Sequence, residues 1–215
     1  MKVLVKILAV ALAIFILQPN CAEAQNKQLD KAHKKEYKAK MSEYNKEGWK
    51  IYGTSHSLDV ALLEHYEKLK KEGVVEISST TKSTSKSIGQ EKLLTYACND
   101  YAHRSETLVR GRITNDLASV VSTDELAEFE HFYAAYETAV QKLIQGELNL
   151  SYTVYRSLGK QDGNEVFEFQ AIYVVDENSA SQARIRAFKN AAAESAAAQK
   201  YAEKISDFVQ EAFTW

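Results

Sequence analysis

The stretch from Leu148 to Val174, LNLSYTVYRSLGKQDGNEVFEFQAIYV, decides the fold. Leu148 to Arg156 alternates apolar and polar side chains with period two, and Val166 to Val174 does the same. Such alternation suits a strand with one buried face. Gly159-Lys160-Gln161-Asp162-Gly163-Asn164 separates the two runs, so the segment reads as an antiparallel hairpin. Upstream, Ser122 and Glu125 have capping-box spacing. Leu126, Phe129, Phe132, Tyr133, Tyr136, Val140, Leu143 and Ile144 then give a helix a broad apolar face, and Gly146 stops it. Downstream, residues 178–213 read as one long helix capped by Asn178 or Ser179. Eleven alanines between Ala180 and Ala212 support it, with Ile185, Phe188, Tyr201, Ile205, Phe208, Val209 and Phe213.

Farther from the hairpin, Thr107 to Thr114 also alternates and predicts a strand, with Gly111 as a bulge. Residues 88–104 predict a helix on the stripe Ile88, Leu93, Leu94, Ala97 and Tyr101, with Cys98 a small buried hydrophobe beside it. Residues 74–87, VVEISSTTKSTSKS, fit a long exposed edge strand, with Lys82 and Lys86 guarding the edge; a polar loop is the alternative. A helix over about 58–72 follows a cap at Ser57 or Asp59, and Trp49 to Ser55 suits a short strand. Residues 25–47, dense in Lys and Glu, read as a solvated helix that frays; a spacer or a packed arm are the alternatives. The expected fold is α+β: a mixed, mainly antiparallel sheet of about five strands with three to four helices, including the long C-terminal one. Residues 48–215 form its single domain.

The N-terminus has the layout of a secretory signal peptide at 1–24. Lys2 and Lys6 flank the start, residues 7–17 (ILAVALAIFIL) are apolar, and Ala22-Glu23-Ala24 forms the cleavage motif. The run is shorter than the roughly 20 residues that span a bilayer. Cys21 offers a lipidation site, but Gln18, Pro19 and Asn20 before it suit a lipobox poorly, so cleavage after Ala24 is expected. The expected location is periplasmic or secreted, with no transmembrane segment in the mature chain. That chain keeps one cysteine, Cys98, and no intrachain disulfide. Twelve Tyr and eight Phe supply its core. The net charge of −2 offers no bulk positive field for nucleic acid.

No constellation for chemistry stands out. His33, His56, His65, His103 and His131 lack any i,i+3 or i,i+4 pairing, so no metal site is expected. Gly53-Thr54-Ser55-His56-Ser57 begins like a nucleophile elbow but lacks its second glycine, and a strand-to-helix turn accounts for it. Neither a G-x-G-x-x-G motif nor a P-loop occurs, so no cofactor is expected. One basic cluster remains: Lys82, Lys86, Lys92, Arg104, Arg110 and Arg112. If strands at 74–87 and 107–114 are neighbours, these side chains share a face for an anionic polysaccharide, peptidoglycan or lipid headgroups.

The order of the aromatic-led strand Trp49 to Ser55, the Ser/Thr-rich strand Val74 to Ser87 and the segment Leu108 to Ile113 resembles the LPP-type bacterial outer-membrane lipoprotein domain over about residues 48–115. The whole chain is also similar to uncharacterised exported proteins of Bacteroidetes-type bacteria. These resemblances imply a non-enzymatic envelope protein and carry over no functional residue. The expected function is therefore a non-catalytic exported interaction or structural protein with an envelope component as partner. The alternatives are a hydrolase with a dispersed site, for which Ser55 and His56 are the first residues to inspect, and a small-ligand or polysaccharide-binding protein.

Overall fold

The computed structural model describes residues 19–210, with side chains described from Asp30 onward. Most of the expected leader, and the expected helical positions Ala212 and Phe213, lie outside the described residues. Among the described residues the fold is α+β, with seven helices and one four-stranded sheet. In chain order these are α1 (Pro19–Glu47), β1 (Lys50–Tyr52), α2 (Leu58–Leu69), β2 (Val74–Ser83), α3 (Lys86–Asp116), α4 (Thr123–Ile144), β3 (Asn149–Gln161), β4 (Asn164–Asp176), α5 (Glu177–Ala192), α6 (Ala196–Lys200) and α7 (Ala202–Gln210). No described helix is long and apolar enough to cross a membrane.

The hairpin forms the centre of the sheet. Strands β3 and β4 pair antiparallel over thirteen residues each, joined by Asp162 (φ 51°) and Gly163 (φ 83°). Two successive positive φ angles make the primed turn that matches strand twist, so the turn is two residues long and the strands extend beyond the expected ends. The order is β1-β3-β4-β2, antiparallel throughout. Strand β2 is an edge, as its Ser/Thr/Lys composition indicates.

Helices cover both faces. On one face, Leu93, Ala97 and Tyr101 of α3, Phe129, Phe132 and Tyr136 of α4, and Ala183 and Ala187 of α5 pack over Phe169 and Ala171 of β4. On the other, Tyr44 of α1 and Ala61 and Leu62 of α2 pack over Tyr152, Val154 and Ile172. Tyr44 is fully buried, so the C-terminal part of α1 is a packed arm and not a frayed helix.

Several expectations are corrected: among the described residues seven helices stand where three to four were expected, the sheet is wholly antiparallel, and three local readings change. Residues 107–114 are helical and extend α3 to Asp116, so the sheet has four strands. Val109 and Ile113 continue the buried stripe of Leu93, Ala97, Cys98, Tyr101, Ala102 and Ser105 at helical spacing, and that long period overrides the local alternation. The C-terminal segment breaks into α5, α6 and α7. Ser195 accepts from Ala198 N at 3.1 Å and Glu128 accepts from Ala197 N at 2.7 Å, which caps a new helix inside the alanine run. Asp176, accepting from Ser179 N, caps the first of the three, where Asn178 or Ser179 was expected. The break returns Ile205 and Val209 to the core, where Val209 O accepts from buried Arg184.

Candidate functional site

The expected basic face does not assemble as one sheet surface, because 107–114 belongs to α3. Lys86 and Arg112 sit about 39 Å apart along that helix, at about 1.5 Å per residue. Arg104 pairs with Asp100 at 2.9 Å, and Arg112 with Asp116 at 3.6 Å. Arg110 bridges Glu106 and Glu130, both at 2.6 Å, and lies over the Tyr133 ring. Lys82 stands on β2 opposite Glu168. Lys92 is exposed on α3.

Lys86 has a different environment. Its ammonium lies 4.3 Å above the Tyr155 ring and 4.7 Å above the Phe167 ring. Those rings belong to a packed aromatic set with Tyr52 and Phe169 on the α3 side of the sheet. Lys86, Lys50, Tyr155, Arg156 and Phe167 line a cleft of about 320 Å³, with Glu47 and Glu165 among its other walls. Arg156 is held by Glu47 at 2.5 Å and Glu168 at 2.7 Å and stacks on Trp49. Its charge is largely answered within the protein, whereas Lys86 meets aromatic faces.

A second cluster was not legible as a site. His65 of α2 is 1% exposed. Its Nε2 lies 2.7 Å from Glu76 Oε2 on β2, and its Nδ1 lies 3.2 Å from Ser151 Oγ on β3. Lys68 Nζ donates to the same Oγ at 3.3 Å. Ser151 occupies the irregularity between Leu150 and Tyr152, a bulge that re-aims a side chain off the regular pleat. Tyr66 and Tyr152 wall the imidazole edge-on at 5.2 and 5.4 Å. Tyr44 Oη meets Tyr152 Oη at 3.2 Å and donates to Gln170 at 2.9 Å. Burial raises the Tyr44 and Tyr152 phenols well above their usual range, and raises Tyr66 to about 12, so all three stay neutral near neutral pH. Beside the cluster, a cleft of about 560 Å³ is lined by Lys68, Lys71, Val74, Asn149, Leu150 and Val174, among others.

Signals for this cluster were present in part. His65 falls three residues after Leu62 on the stripe Leu58, Ala61, Leu62, so the core face of α2 carries one polar ring. Its partners are 11 and 86 residues away, and only the sheet brings them together. Ser55 and His56 do not form the elbow: His56 is exposed and faces Glu64 at 3.4 Å, its backbone N–H donates to Thr54, and Ser57 caps α2. Burial raises the Cys98 thiol to about 11, which leaves it inert at neutral pH. Among the described residues no group of three or more His, Cys, Asp or Glu is arranged to hold a metal ion.

Comparison with protein-family models, with curated proteins and with solved structures finds no match to this chain. Its functional reading therefore rests on its own residues.

Proposed function

We propose that this chain is an exported cell-envelope protein that works by binding an acidic polysaccharide in the cleft between the end of α1, the start of α3 and strand β3. The observation that carries this reading is the Lys86 ammonium over Tyr155 and Phe167 at the floor of an open cleft. Lys50 lines the same cleft and adds a second cation. The two ring faces hold the Lys86 ammonium in place, where it meets a sugar carboxylate entering the cleft. Glu47 and Glu165 at the walls, which already accept from Arg156 and Ser157, present further carboxylate oxygens to sugar hydroxyls. The leader-like start supports the location, and an intact mass beginning at Gln25 would match it.

Titration calorimetry with polygalacturonate and with soluble peptidoglycan fragments tests the binding. The expected result is measurable affinity for at least one of them, weakened at least about tenfold by Lys86→Glu, the loss of about 1.4 kcal/mol or more. Higher salt weakens it further. An absence of binding by the parent protein, or binding that Lys86→Glu and Lys50→Glu together leave unchanged, overturns the reading.

A further inference from the structure

We infer that Ser151, His65 and Glu76 form a second and separate site, a serine nucleophile with its base and orienting carboxylate, acting on short-chain carboxylic esters. The inference is independent of the polysaccharide cleft and departs from the non-catalytic reading of the sequence. It starts from hydrogen-bond direction. In the neutral ring, a proton on Nε2 donated to Glu76 at 2.7 Å makes Nδ1 the bare nitrogen. The bare Nδ1 then accepts from Ser151 Oγ–H at 3.2 Å. Nucleophile, base and orienting carboxylate thus form a chain within hydrogen-bond reach. A buried histidine needing only satisfied nitrogens could take two backbone partners. Here both are side chains from other elements, and one is a half-exposed serine on a bulge.

The surroundings complete the arrangement. Lys68 Nζ, 3.3 Å from Ser151 Oγ, places a positive charge where negative charge develops on the attacking oxygen and on the carbonyl oxygen it creates. The cleft of about 560 Å³ shares Lys68 and is lined by Asn149 and Leu150, the residues immediately before Ser151. Val74, Leu150 and Val174 give it an apolar wall for a short acyl chain. Tyr66 and Tyr152 restrict water at the imidazole edges.

The chemistry balances with water as the only co-reactant. Ser151 Oγ bonds to the ester carbonyl carbon while its proton passes to His65 Nδ1. The tetrahedral adduct collapses, the bond to the alkoxy oxygen breaks, and Nδ1–H protonates the departing alcohol. Water then attacks the acyl-serine, gives its proton to Nδ1, and collapse releases the carboxylic acid as the proton returns to Ser151. Glu76 orients the ring and offsets the imidazolium charge in both halves; it is a positioning residue.

A fluorophosphonate probe with tandem mass spectrometry on the intact chain, together with 4-nitrophenyl butyrate hydrolysis, tests the site. The expected adduct maps to Ser151. The variant Ser151→Ala loses the adduct and lowers hydrolysis at least about a thousandfold while the circular dichroism stays that of the parent. Glu76→Gln, at a half-exposed position, keeps the serine but slows labelling and changes its pH profile, which a purely structural carboxylate would not do. A parent chain that takes no label and hydrolyses no ester above background overturns the inference, as does a label on Ser55 or any residue other than Ser151. Because the polysaccharide test reads Lys86, either proposal can fail alone.

Discussion

Replacing Gly89 and Gly111 by alanine, one at a time, moves stability in opposite directions although both lie on α3. Alanine normally gains about 1 kcal/mol over glycine inside a helix. At Gly111 a Cβ meets no atom within 4 Å, so that gain appears in full. At Gly89 the Cβ falls 2.6 Å from both Cδ2 and Cε2 of Phe169 and 3.3 Å from its Cγ. Favourable carbon contacts lie near 3.5–4.0 Å, so the overlap approaches about 1 Å. Phe169 cannot retreat: it is fully buried, with Tyr52, Tyr155 and Phe167 rings centred 5.7, 5.9 and 6.3 Å away. Overpacking of this kind costs about 1–3 kcal/mol, and a wedged ring belongs at the upper end. Gly89 also lies in the first turn, where the propensity gain is smaller. The net expectation is a loss of about 2 kcal/mol for Gly89→Ala and a gain of about 1 kcal/mol for Gly111→Ala. With a urea slope of about 2 kcal/mol per molar, the midpoints shift by about 1 M downward and 0.5 M upward. In a Phe169→Leu background the Gly89→Ala penalty should shrink by more than half. Equilibrium urea unfolding followed by circular dichroism reads the parent and all four variants. A Gly89→Ala protein as stable as the parent refutes the packing argument.

Two other perturbations follow from named contacts. Arg184 is fully buried, with its guanidinium on Glu177 at 2.6 Å, Tyr101 at 2.5 Å and the Val209 carbonyl; Arg184→Met should cost about 3–5 kcal/mol by stranding Glu177. The cost should fall when Glu177→Gln is added, and equal losses in both backgrounds would reject the coupling. The half-buried Glu125 carboxyl is held down to about 2, from 4.5, chiefly by Lys200 and by the Ser122 backbone N–H. Its contribution is fully present above about pH 4.5 and is lost as pH falls through about 2, so the urea midpoints of parent and Glu125→Gln should converge toward pH 2. A gap that stays constant over that range would contradict the assignment.

The hairpin, the Ser122–Glu125 capping box and the α2 helix were legible because each rests on neighbours in sequence. Alternation sets the strands, both reciprocal bonds of the capping box form, and Ser57 accepts from Val60 N. Residues 107–114 were misread because Leu108-Val109-Arg110-Gly111-Arg112-Ile113 has a period of two over six residues and a period of 3.6 only when joined to the preceding stripe. The C-terminal break was hidden because half of its capping comes from Glu128, almost seventy residues upstream on α4. The His65 cluster and the Gly89–Phe169 contact share that cause. Each is made by long-range partners whose types are ordinary for their own elements.

Strand length helps explain where the Lys86 cleft lies. Strand β1 has three residues and pairs only with Thr153, Val154 and Tyr155 of a thirteen-residue β3. On one side of that short pairing, Asn149 and Leu150 line the cleft beside Ser151. On the other, Arg156 and Ser157 line the cleft that holds Lys86. A longer β1 would hydrogen-bond over Arg156 and Ser157 and narrow the Lys86 cleft, whereas the cleft beside Ser151 is lined from β2, β3, β4 and the end of α2. Gly53, at φ 75°, ends the strand in a conformation that other residues adopt at a cost, and Gly48, at φ 74°, turns the chain out of α1 just before it. Two glycines thus hold β1 to three residues, and the open flank of β3 beside Lys86 follows from that limit. Since β1 separates the flanks, substitutions at Lys86 should leave Ser151 chemistry untouched, and substitutions at Ser151 should leave polysaccharide binding untouched.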